Sequence, residues 1–247
     1  TRYKLVTGVQ TCALPISQRM ETERRFTADA AHELRTPIAA IRAQAQVALT
    51  SAADDRVRQK ALQDTLMGCD RASRVVEQLL TLARVEGPHD VAADPFRLDQ
   101  LAQHIMADLT PEALRRNQQL ELMAPEVLHV TGQSMLWQIL LRNLIDNALR
   151  YSPDGATVRM QVHRLADGEI QVLVEDSGPG MSSTDMARLG ERFFRVLGTT
   201  ASGSGLGWSI VRHIAVLQHI DVGLTASTDL GGLCVTLRYS KIKGDSR

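Results

Sequence analysis

The sequence is poor in aromatics and cysteines, and it lacks any long apolar run. Aromatic residues make up 4% of its 247 positions, so a core has to be packed through Leu, Ile, Val and Ala. The three cysteines, Cys12, Cys69 and Cys234, are far apart and odd in number. They form neither a disulfide framework nor a metal-binding spacing, and a reducing, cytosolic setting is expected. No apolar stretch approaches the roughly 18 residues of a membrane helix. No membrane segment is therefore expected within the chain. Net charge is missing too: 28 Lys and Arg balance 28 Asp and Glu. That excludes the net basic field of a broad nucleic-acid surface. With 44% hydrophobic and 23% charged residues, the composition is that of a globular protein of one or two domains.

The first stretch does not join this pattern. Val6 to Ser17, VTGVQTCALPIS, has neither helical nor strand period, and Val6–Ile16 resembles the in-frame translation of a sequencing-library adapter. Residues 1–17 are set aside as a non-native segment. From 18 to 50 the chain is charged, Ala-rich and free of glycine. Ala30, Leu34, Ile38, Ile41, Ala45 and Ala48 recur at spacings of four and three, one stripe of a helix. After the polar break SAADDR a second stripe runs through Leu62, Leu66, Cys69, Ser73, Val76, Leu80 and Ala83. The spacing predicts an antiparallel helical hairpin over 18–86. Two helices cannot cover both stripes, so the expectation is a homodimer that closes a four-helix bundle.

Gly87-Pro88 ends the second helix, and residues 87–95 read as a linker. From 96 to 243 the pattern changes. PFRLDQLAQHIMADL predicts a strand entry and a helix, and SMLWQILLRNLIDNALRYS a strongly apolar helix. TVRMQVHRL, EIQVLVEDS and GLCVTLRYS alternate with period two and predict strands. A last helix is expected over Leu206 to Leu217. The expected architecture is an α/β two-layer sandwich, one helical layer on a mostly antiparallel sheet.

Several clusters carry chemistry. His32-Glu33 begins like H-E-x-x-H, but position 36 is Thr, so the zinc site is not formed. His32 and Thr36 share a helix face turned away from the apolar stripe. Pro37 leaves the Glu33 carbonyl without its helical donor. Glu33 can take the proton from one ring nitrogen of His32, leaving the other as nucleophile. Asn143 and Asn147, four apart, face one way. Asn147 offers an amide oxygen to Mg²⁺, while Arg150 and Tyr151 lie a turn on, near phosphates and a base. Asp176, at the end of a strand, can accept from an exocyclic amine such as that of adenine. Gly178 and Gly180 let backbone approach a ligand. Gly203, Gly205 and Gly207, with Leu206 among them, precede a helix whose N–H groups suit phosphate. The long loop before them holds Phe193 and Phe194 as a lid and Arg195 reaching toward phosphate.

Taken in order, FTADAAHELRTP, NLIDNALRYSP, DSGPGM, ERFFR and GSGLGWSIV resemble the H, N, first G, F and second G boxes of bacterial two-component sensor histidine kinases. The match runs from about Arg24 to Tyr239, and the wording around His32 and in LGERFFR is similar to the QseC-like group. The resemblance implies a dimerisation and histidine-phosphotransfer domain followed by a Bergerat-type ATP-binding domain. By position it makes His32 the phosphoacceptor, Glu33 the base and Thr36 the residue that orients water in dephosphorylation. It places Mg²⁺-ATP on Asn143 and Asn147, adenine on Asp176, and the five glycines around pocket and lid. A response regulator receiver domain is the implied partner, and the implied parent is anchored in the inner membrane with this portion in the cytoplasm. Trp208 departs from the pattern, standing where the family usually has a smaller aliphatic residue. A pure ATPase or ATP-gated clamp, or an inactive dimer scaffold, would use the same nucleotide residues. Clamp-type relatives place a glutamate where this chain has Asn143.

Overall fold

A computed structural model describes residues 31, 34–50, 54–86, 93–189 and 206–240. The segment 1–17, His32, Glu33, the linker residues 87–92, Phe193, Phe194, Arg195, Gly203 and Gly205 lie outside them. The described residues divide into two compact units between Leu80 and Thr81.

The first unit holds a pair of helices, α1 over 34–49 and α2, Asp55–Glu86, the last six residues of which fall in the second unit. The Thr50 hydroxyl donates to the Gln46 carbonyl at 3.0 Å and closes the end of α1. Asp55 opens α2 with a negative charge at its N-terminus, where the helix dipole favours one. Ala61, Gly68 and Val75, one heptad apart, form the buried row of α2. Gly68 sits against α1: a Cβ there would lie 2.6 Å from Cγ1 of Ile41. Gly68→Leu is therefore expected to spread the two helices and cost about 1–3 kcal/mol, read as a lower Tm. The stripe anticipated from sequence is the neighbouring row. Leu62, Leu66, Val76 and Leu80 are exposed on the single chain, as is Ile38 of α1, whereas Pro37 is buried. The reason is that α2 carries two adjoining apolar rows, and α1 can cover only one.

The second unit is a layer of helices on a five-stranded sheet of order β2-β4-β5-β7-β6. Its strands are β2 (Gln119–Met123), β4 (Thr157–Arg164), β5 (Ile170–Asp176), β6 (Ile220–Ala226) and β7 (Leu233–Tyr239). Only the β2–β4 pair is parallel. A two-stranded antiparallel ribbon, β1 (Asp94–Arg97) with β3 (His129–Gly132), stands apart from it. The helices are α3 (Leu98–Arg115), α4 (Ser134–Tyr151), the short α5 (Ser183–Arg188) and α6 (Gly207–Leu217). Strand parity builds the core: Val158, Met160 and Val162 of β4 and Ile170, Val172 and Val174 of β5 are buried. On α4, Leu136, Trp137, Leu140, Leu141, Leu144, Ile145, Ala148 and Leu149 form the stripe that meets them. Three of the few aromatics meet here: Trp137 packs edge-on against Phe96 and Tyr239. The Tyr239 hydroxyl donates to the Thr131 carbonyl at 2.8 Å and ties ribbon to sheet.

Three strands, β2, β3 and β6, were not anticipated. Two of them follow a helix without glycine or proline as punctuation. Asn117 and His219 make the left-handed turns instead, each at φ 53°, a conformation that non-glycine residues adopt infrequently.

A buried carboxylate anchors the start of α3. Asp99, 3% exposed, accepts from the Arg97 guanidinium and, at 3.2 Å, from the Leu128 N–H. The Arg97 bond is the main reason its carboxyl falls from the ordinary 3.8 to about 2. A lowered folded pKa stabilises the fold above pH 4, and that contribution is lost as pH falls from about 4 toward 2. Asp99→Asn is expected to remove about 2 kcal/mol at pH 7 and to flatten the acid limb of Tm against pH.

Candidate functional site

The site is built from one helix, one strand end and one glycine-rich turn. Because the apolar stripe of α4 is turned to the sheet, Asn143 and Asn147 fall on its flank, both half-buried. Gly207 opens α6 against them. A Cβ on Gly207 would lie 3.2 Å from Asn147 Nδ2 and 3.3 Å from both amide oxygens. Asn143 spends its Nδ2 on the Ile139 carbonyl at 2.8 Å. Asn147 enters none of the described hydrogen bonds, so its whole amide is uncommitted among the described residues. Arg150 pairs with Asp146 one turn back, its side chain 14% exposed. Tyr151, the last residue of α4, is partly open to solvent. Asn143 and Tyr151 are separated by about 12 Å along the helix axis.

At the far end of that row, α4 meets the end of β5. Asp176 Oδ1 accepts from the Gly178 N–H at 2.9 Å and from the Leu233 N–H at 3.2 Å. Oδ2 enters none of the described bonds. Burial pushes the Asp176 carboxyl above its ordinary value, and the two backbone donors offset this only in part. A Cβ on Gly178 would lie 2.9 Å from Asp176 Oδ1 and 3.1 Å from the Ser152 hydroxyl. Gly180 turns the chain at φ 68°. Leu206 is fully buried, and its carbonyl accepts from the Ser209 hydroxyl at 2.7 Å. Trp208 is buried as well, with no partner for its ring N–H among the described residues. Thr36 lies exposed on α1, in the other unit.

Sequence reasoning missed three supports of this arrangement. Gly232 donates its N–H to the Asp176 carbonyl at 3.0 Å. Its only sequence signal is the Gly231-Gly232 pair before the last strand. Arg116 and Gln118 donate to the Ser152 carbonyl, at 2.8 and 3.1 Å, and hold the end of α4. They had no signal, because the left-handed turn at Asn117 delivers them. Among the described residues no cluster of three or more His, Cys, Asp or Glu forms a metal site. The Asn147 amide oxygen is a hard donor suited to Mg²⁺.

An acceptor carboxylate at a strand end, a row of asparagines on the facing helix and a glycine-opened helix describe a nucleotide site. Residues 132–242 match the family described as histidine kinase-, DNA gyrase B-, and HSP90-like ATPase, and residues 22–88 match the His Kinase A (phospho-acceptor) domain. The chain is 42% identical over 229 residues to sensor protein QseC of Salmonella typhi, covering 91% of this chain and 49% of that protein. It is 46% identical over 208 residues to QseC of Escherichia coli strain K12, covering 82% and 44%. In fold it is similar to histidine kinase ThkA in its complex with response regulator protein TrrA. The TM-score is 0.73 at 18% identity, over 90% of this chain and 63% of that one. The chain belongs to the sensor histidine kinases, in the QseC-like group. It spans about half the length of these curated relatives. Among the described residues no helix is long and apolar enough to cross a membrane.

Proposed function

We propose that the chain is the catalytic portion of a sensor histidine kinase, in which 18–86 dimerises and carries the phosphoacceptor His32, 87–95 is a linker, and 96–243 binds ATP. Asp176 supports the reading most directly. One of its oxygens is held by two backbone N–H groups and the other is left for an exocyclic amine. Adenine binds there, and the phosphates extend along α4 toward Asn143, Asn147 and the start of α6. Gly178, Gly180, Gly203, Gly205, Leu206 and Gly207 line the path, and Arg195 reaches the phosphates. Tyr151 flanks the base. Arg150, paired with Asp146 in this state, has to exchange that partner to reach a phosphate. Mg²⁺ on the Asn147 oxygen would neutralise phosphate charge.

His32 then attacks the γ-phosphorus, its proton passing to Glu33. A nitrogen–phosphorus bond forms as the bond to the ADP oxygen breaks, and positioning and electrostatics supply most of the acceleration. The phosphoryl group passes on to an aspartate of a response regulator receiver domain, and in the separate dephosphorylating reaction Thr36 orients the water that hydrolyses that aspartyl phosphate to aspartate and inorganic phosphate. The exposed rows of α1 and α2 are the seam of the homodimer. The parent protein is anchored in the bacterial inner membrane, with this portion in the cytoplasm. No nucleic acid takes part.

Incubation with γ-labelled ATP and Mg²⁺ tests this. Acid-labile, alkali-stable label is expected on the native chain and none on His32→Gln. A folded protein that binds ATP yet takes up no label would instead be a clamp-type ATPase or a scaffold. Asn143, at the position where clamp-type relatives place a glutamate, favours the kinase.

A further inference from the structure

Glu175 is a buried carboxylate on the wrong face of the sheet for the chemistry above. Strand alternation puts Asp176 on the side of Val174, toward the helices, and Glu175 on the opposite side. That side should be wet, yet Glu175 is 6% exposed. Burying a charge is costly unless it is bonded, and the bonds lead to one place. Its Oε1 accepts from the Ser227 hydroxyl at 2.8 Å. The same hydroxyl oxygen accepts from the Leu230 N–H at 3.0 Å, and the Ser227 N–H donates to the Gly232 carbonyl at 2.8 Å. Ser227 therefore closes the turn between β6 and β7. On the other side Gln161 reaches Oε2 at 3.3 Å. Arg159, directly across from Glu175 on β4, is 3.8 Å from Asp229 in the same turn.

Adjacent residues of β5 thus grip the two ends of one turn: Glu175 holds Ser227 at its start, and Asp176 accepts from Gly232 and Leu233 at its close. We infer that Glu175 and Ser227 are positioning residues for base recognition. They fix the turn whose closing N–H groups hold the end of β5, Gly232 on the Asp176 main-chain carbonyl and Leu233 on Oδ1 of its carboxylate, leaving Oδ2 directed at the exocyclic amine. This rests on the nucleotide reading of Asp176. It adds a device on the outer face of the sheet that acts on the site only through the β6–β7 turn.

The test is the affinity of the full chain for ATP and for the purine riboside triphosphate that lacks the 6-amino group, alongside thermal melts. Native protein is expected to prefer ATP. Ser227→Ala should weaken ATP on the order of tenfold and leave the analogue unchanged. Ser227→Thr, which keeps a hydroxyl, should restore the preference. Should Ser227→Ala not fold, Glu175→Ala removes the acceptor instead and is read by the same two nucleotides. Equal weakening of both nucleotides would reduce the pair to general support of the fold and overturn the inference, as would a Ser227→Ala that binds ATP like the native chain. Native protein that binds neither nucleotide would overturn the nucleotide reading itself, a separate result.

Discussion

Gly232→Ala is expected to abolish ATP binding. A Cβ at this position would lie 2.2 Å from Asp176 Oδ1, 2.3 Å from the Asp176 carbonyl oxygen and 2.7 Å from the Gly178 nitrogen. Two of these atoms are backbone and cannot rotate away. The start of β7 must therefore move off the end of β5, breaking the Gly232 N–H bond to the Asp176 carbonyl and the Leu233 N–H bond to Oδ1. Overpacking of this kind costs about 1–3 kcal/mol, and here the displaced group is the one proposed to read the base. Calorimetric titration with ATP should show no measurable binding, with a lowered Tm. Gly223→Ala is the control. Its Cβ would meet Thr236 at 3.7 Å, an ordinary contact, and ATP binding should survive. Native-like affinity in Gly232→Ala would mean that Asp176 does not hold the base.

Asn147→Ala should separate function from stability. The side chain enters none of the described hydrogen bonds and stands beside Gly207 at the mouth of α6. Its loss leaves no polar partner unsatisfied, so Tm should stay within about 2 °C of native, the shift expected of a near-neutral substitution. Mg²⁺-dependent labelling of His32 should fall by about 10²-fold or more, as for loss of a group that would hold the charge-neutralising cation on the phosphates. Asn143→Ala should cost stability as well, because Nδ2 of Asn143 bonds the Ile139 carbonyl. A matching loss of Tm in both variants would place Asn147 in the fold rather than in the reaction.

Family membership and the order of the two domains were readable from residues alone. Helical stripes and strand alternation are local patterns, and the boxes around His32, Asn147, Asp176 and Gly207 are contiguous words. His32 and Glu33 rest on that sequence reading, since they lie outside the described residues. What sequence could not decide was pairing. Which of the two apolar rows of α2 is buried depends on what packs against it, and a single helix spectrum is the same for both. β2 and β6 follow the left-handed Asn117 and His219, where no glycine announces a turn.

The precise form of the site depended on distant partners. Asp176 is aimed by Leu233, 57 residues away, and Glu175 is bonded to Ser227, 52 residues away. The sequence by itself determined the chemistry available, because residue type and local spacing settle which donors, acceptors and nucleophiles exist and on which element they ride. Only the tertiary structure decided which oxygen of Asp176 is spent and which remains, because that follows from backbone donors brought in by strand pairing, and pairing is written in no single segment.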